Sequence, residues 1–100
     1  MGVIYCARNI QNDKLYIGQT IDFKHRKAAH ISEARHSKLK TPFHNAIKKY
    51  GEDNFSWTIL EDNVPNDELS DLEILYIDMF CTYLGKNYNC SIGGEGNLGY

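Results

Sequence analysis

Two segments near the N-terminus, GVIYCARN (residues 2–9) and KLYIG (residues 14–18), alternate and carry β-branched and aromatic side chains; only Ile10 to Asp13 separate them. A link that short joins antiparallel strands, whereas parallel neighbours need a crossover of about a dozen residues or more. The hairpin therefore excludes a doubly wound parallel sheet from the outset.

The remaining segments fit onto such a hairpin. DFKHRKAAHISEAR lacks Gly and Pro and follows Thr20 and Asp22, either of which can cap a helix start. PFHNAIKKYG places Pro42 in a first turn and Gly51 at a C-terminal stop. NFSWTILE reads as a third strand with Phe55, Trp57 and Ile59 on one face, and LSDLEILYIDMF as a last helix with Asp67 near its start. The order strand, strand, helix, helix, strand, helix predicts an α+β fold, a small three-stranded antiparallel sheet flanked by helices. Residues 1–92 form the expected domain, and the glycine-rich residues 93–100 read as a tail or the start of a linker.

Glu73 stands out in the last helix. At about 100° per residue it falls within the apolar arc of Leu69, Leu72, Tyr76, Ile77 and Phe80, while Asp71 and Asp78 project to the opposite side. An inward carboxylate must be paired, hydrogen-bonded or bound to a metal. Three further features could converge with it. Tyr5 and Tyr16 lie one on each arm of the hairpin, with Gly18 at a strand end where a ligand can approach closely. Arg26 and His30, spaced i and i+4, share one helix face. Asn89 is a short amide able to orient a carboxylate or to occupy a turn. Each of these residues also has an ordinary structural explanation.

Charge is strongly polarised. Between Lys24 and Lys49 lie eight of the eleven Lys/Arg, all four histidines and a single acid, Glu33; from Tyr50 onward there are ten acids and one base. Basic segments of this kind are either solvated helix faces or phosphate-contacting surfaces. Lys24, Lys27, Arg35, His36, Lys38 and Lys40 are the candidate contacts. Three cysteines without CxxC spacing argue against a zinc cluster and a disulfide framework, with one disulfide plus a free thiol as the alternative. A reducing, cytoplasmic setting is the expectation, with no membrane span and no signal peptide.

GVIY followed by YIGQT, with the two tyrosines eleven positions apart, resembles the GIY-YIG nuclease family. The resemblance extends through HRKAAH, AIKKYG, FSWTILE, LEILYI and YNCSIGGEG, and YIGQT, KYG and GGEG look most like its phage and homing-type branch. Two departures stand: the first motif places Gly2 one residue early, and Asp13 occupies the turn where a glycine is common. The resemblance implies a metal-dependent DNA endonuclease of a phage or bacterial setting, using Mg²⁺ or Mn²⁺. It implies Glu73 as the metal ligand, Arg26 on the phosphate, Tyr5 as general base assisted by His30, Tyr16 positioning the site and Asn89 near the carboxylate. A single acid suffices for Mg²⁺, which keeps several waters. A catalytically inactive DNA-binding module and a protein-interaction domain are the alternatives. A domain this small has little room to read base edges, so relaxed specificity is expected unless a recognition domain follows Tyr100. Oligomeric state is left open.

Overall fold

The computed structural model describes residues 1–36, 41–84 and 87–88. One antiparallel sheet holds β1 (Gly2–Asn9), β2 (Leu15–Thr20) and β3 (Phe55–Val64) in the order β2-β1-β3. The helices are α1 (Phe23–His36), α2 (Pro42–Tyr50) and α3 (Leu69–Leu84), which makes the fold α+β as expected.

β1 takes the centre because its sequence can be buried on both sides. Ile4, Tyr5, Cys6 and Ala7 are all buried in succession, the mark of a strand covered on both faces. Ile4, Cys6, Leu15 and Ile17 pack on one face against Leu69 and Ile77 of α3. On the opposite face Ala7 meets Ala34 of α1 and Phe43, Ala46 and Ile47 of α2, together with Phe55. The sheet is thus sandwiched, and β2 is left as an edge.

Local chemistry sets the boundaries. Asp22 Oδ1 accepts the His25 N–H at 3.1 Å and starts α1; Thr41 Oγ1 accepts the His44 N–H at 3.2 Å and starts α2. Gly51, at φ 92°, ends α2 in a conformation that favours glycine. In the hairpin Asp13 adopts φ 62° and its carboxylate pairs with Arg8. A short side chain that tolerates the left-handed region replaces a glycine there.

Several details depart from the sequence reading. β3 continues to Val64 through an irregular register opposite Gly2, Ile4 and Tyr5, and Asn63 takes φ 54°. This shift carries polar Asp62 and Asn63 outward and returns Val64 to the core. Ile59 is largely exposed, because the helices cover the Phe55 end of that face and leave Ile59 at its margin. α3 runs four residues past Phe80. Cys6 is a buried free thiol and Cys81 is disulfide-bonded, the alternative of one disulfide plus a free thiol, which removes the cysteine argument for a reducing compartment. Among the described residues no helix is long and apolar enough to cross a membrane.

Candidate active site

Tyr5 and Tyr16 both reach the face covered by α1 and α2, yet they are not direct partners. Tyr5 pairs with Gly18 and Tyr16 with Ala7, so the phenols are diagonal, with ring centroids 6.3 Å apart. The Tyr5 ring lies across Gly18, where a β-carbon would stand 2.4 Å from its Cζ and hydroxyl oxygen. Only glycine lets this ring cross β2 towards the edge of the sheet.

At that edge side chains from both layers meet. Tyr5, Tyr16, Gln19, Arg26 and Glu73 line one cleft of about 170 Å³. Arg26 comes from the first turns of α1, and Glu73 approaches on α3 from beneath the sheet. The apolar arc of α3 explains the orientation of Glu73: Leu69, Glu73 and Ile77 are buried together at i, i+4 and i+8. Gln19 Nε2 donates to Glu73 Oε1 at 3.2 Å, and no ion pair joins Glu73 to a cation among the described residues. Burial raises its carboxyl above the usual range, partly opposed by Gln19. A buried carboxylate with one amide donor, facing a cleft with room for water, fits a hard divalent cation of the Mg²⁺ kind.

His30 and His44 are buried polar groups beside the cleft. His30 Nε2 lies 2.6 Å from the Tyr5 hydroxyl and its Nδ1 lies 2.9 Å from His44 Nε2. Tyr16, Phe43 and Trp57 surround the His30 imidazole at centroid distances of 5.2, 5.0 and 6.0 Å. Burial, then the Arg26 charge and then His44, pull its pKa down to about 3, so the ring is neutral at pH 7. Burial also raises the Tyr5 phenol, with Tyr16 and Glu73 adding and Arg26 opposing. The Arg26 charge thus opposes the rise of the free phenol without cancelling it, and the Tyr5 hydroxyl shares its hydrogen bond with His30 Nε2.

The candidate phosphate contacts are dispersed. Lys24 and His36 are exposed, Lys27 Nζ sits 5.6 Å over the Trp57 ring, and Arg35 is paired with Glu52 at 2.7 Å. His36 ends α1 on the surface and makes no contact with this cleft; His44 joins the site instead, because α2 lays its first turn against His30. Lys38, Lys40, Asn89 and residues 93–100 lie outside the described residues.

Residues 1–89 match the family model of the GIY-YIG catalytic domain. The chain belongs to the GIY-YIG family. Its structure resembles the catalytic domain of the homing endonuclease I-TevI, with a TM-score of 0.72 and 25% identity over 92% of this chain and 100% of that one. It also resembles the I-TevI catalytic domain with one glutamate changed to alanine, with a TM-score of 0.70 and 26% identity over 91% and 95% of the chains. No curated protein matches it. An endonuclease catalytic fold is the coarse identity that follows.

Sequence reasoning overlooked two residues of this GIY-YIG domain. His44 falls in the buried arc of α2 with Phe43 and Ile47, the same signal that singled out Glu73. Gln19 continues the Leu15, Ile17 alternation on the α3 side of β2, a polar residue where an apolar one was due.

Proposed function

We propose that this GIY-YIG domain is a divalent-metal-dependent endodeoxyribonuclease of the homing or phage type, hydrolysing phosphodiester bonds of duplex DNA. The observation that carries this reading is the convergence of Tyr5, Tyr16, Arg26 and Glu73 on one cleft, with His30 hydrogen-bonded behind Tyr5. A phosphodiester is anionic, and attack on it develops further negative charge. Arg26 supplies a fixed planar cation for the phosphate oxygens. Glu73 would hold Mg²⁺ or Mn²⁺, which supplies Lewis-acid stabilisation and a water of lowered pKa when bound. Tyr5 takes the proton from the nucleophile while its own hydroxyl proton passes to His30 Nε2, the neutral acceptor beside it. Tyr16 walls the cleft, stacked on Phe43 at 4.1 Å with ring planes 3° apart, and holds its position. Asn89 is proposed to orient the Glu73 carboxylate.

Lys24, Lys27 and the neighbouring basic residues supply diffuse attraction for the DNA backbone, which makes binding salt-dependent. The similarity to I-TevI, described as a homing endonuclease, supports the homing-type reading. Relaxed sequence specificity and a bacterial or phage intracellular setting belong to the same proposal. Incubation of supercoiled plasmid with Mg²⁺, Mn²⁺ or EDTA tests it. Nicked or linear product with either metal and none with EDTA is the expected result. Retarded but uncut plasmid across all metals would instead identify a binding module, and equal cutting by Glu73→Ala would remove the assigned ligand.

A further inference from the structure

Behind Tyr5, away from the Glu73 carboxylate, a second set of ligand atoms converges. His30 Nδ1, His44 Nε2 and a Glu33 carboxylate oxygen all lie within 4.8 Å of one another. His30 and Glu33 project from the same face of α1 at i and i+3, and His44 meets them from the first turn of α2. His44 Nε2 stands 2.9 Å from His30 Nδ1 and 3.4 Å from Glu33 Oε1. An imidazole nitrogen has one in-plane proton or lone pair, so it can serve only one of those neighbours at a time. A cation at the point where the three atoms converge serves all of them.

We propose that His30, Glu33 and His44 form a transition-metal site, for Zn²⁺ or a cation of similar softness, whose occupation switches the nuclease off. The switching half of this inference rests on the function proposed above. The donor set decides the class of metal: two imidazoles and one carboxylate suit Zn²⁺, Co²⁺ or Ni²⁺, whereas Mg²⁺ prefers oxygen ligands. Contacts of 2.9 and 3.4 Å bracket the edge that two ligands make around a tetrahedral ion with bonds of about 2.0–2.1 Å. Three protein ligands leave a fourth position for water, and the half-exposed Glu33 side chain opens the site to solvent. Metal-bound histidines ordinarily donate their other ring N–H to a fixed acceptor, and the Tyr5 hydroxyl, 2.6 Å from His30 Nε2, is already there.

That last contact couples the two sites. When Nδ1 of His30 binds a cation, the single proton of the neutral ring resides on Nε2. His30 then donates to the Tyr5 oxygen and can no longer accept the phenolic proton. No net proton is gained or lost by the ring; the direction of one hydrogen bond reverses. A hard cation at Glu73 and a softer one at His30 would therefore have opposite effects on cutting.

Titration of the metal-free protein with Co²⁺, without DNA, reads the site directly through the visible d–d absorption of four-coordinate cobalt. The expected result is a band that saturates at one equivalent, survives excess Mg²⁺ and persists in Glu73→Ala. It should vanish in His44→Ala and need at least about tenfold more cobalt in Glu33→Gln, since loss of even an outer partner costs that much affinity. Glu33→Gln alters a half-exposed side chain and decides the matter even if His44→Ala does not fold. No band, or an equal band in Glu33→Gln, overturns the site. With plasmid and excess Mg²⁺, stoichiometric Zn²⁺ should stop cutting by the parent. Glu33→Gln, cutting at the parent rate with Mg²⁺ alone, should tolerate about tenfold more Zn²⁺. Unimpaired cutting by zinc-loaded parent overturns the switch, whereas a protein that never cuts with Mg²⁺ refutes the nuclease reading and leaves the cobalt result to decide the site.

Discussion

The ring of Tyr5 lies across the backbone of Gly18, so close that a single added methyl group would overlap its hydroxyl. This contact between register partners at the centre and the edge of the sheet aims the phenol at both His30 and the cleft. Gly18→Ala should push the ring aside. Displacing a reacting group by about 1 Å can cost ~10²-fold in rate. Overpacking should cost about 1–3 kcal/mol of stability. Plasmid cutting and denaturant unfolding of the same preparation check both; parental cutting by Gly18→Ala would show that Tyr5 need not lie there.

His30 should make the fold sensitive to acid. Its pKa falls from 6.5 to about 3 on folding, so between those values the unfolded chain holds more protons. The stability its neutral form contributes is complete above pH 6.5 and is lost as the pH falls towards 3. Relative to His30→Gln, the parent should lose up to about 1.4 kcal/mol per pH unit across that window. Parallel slopes for the two proteins in denaturant unfolding from pH 7 to 4 would refute it.

Glu73 should act in the opposite direction. Its folded pKa lies above the ordinary 4.5, so the protonated form is favoured in the folded state. Stability is therefore lost as the pH rises from 4.5 through the folded pKa. In EDTA at neutral pH, Glu73→Gln should melt above the parent, with each 1 kcal/mol worth about 4–8 °C in a domain of this size. Mg²⁺ should raise the melting temperature of the parent but not of Glu73→Gln, because a ligand that binds only the folded state stabilises it. A parent unaffected by Mg²⁺ at high concentration would count against Glu73 as its ligand.

Arg26→Lys should separate charge from shape. The substitution keeps one positive charge but loses the planar fork that grips two phosphate oxygens. Cutting should fall on the order of 10²-fold, the scale of losing one preorganised donor. Stability should stay within about 0.5 kcal/mol, since the side chain is only half-buried. A full loss of folding in circular dichroism would assign Arg26 a structural role instead.

Legible in the chain alone were the hairpin, a start for α1 at Thr20 or Asp22, the stop at Gly51 and the inward turn of Glu73. These depend on periodicity and on hydrogen bonds between residues a few positions apart, so they are written in neighbouring letters. Tertiary structure alone decided that Tyr5 faces Gly18 rather than Tyr16, that β3 joins the free side of β1, and that α3 covers the face opposite α1 and α2. It alone brought His44 of α2 against His30 of α1. Those outcomes rest on contacts between segments far apart in the chain, where burial of two apolar faces against one sheet selects among arrangements that local propensity leaves equal.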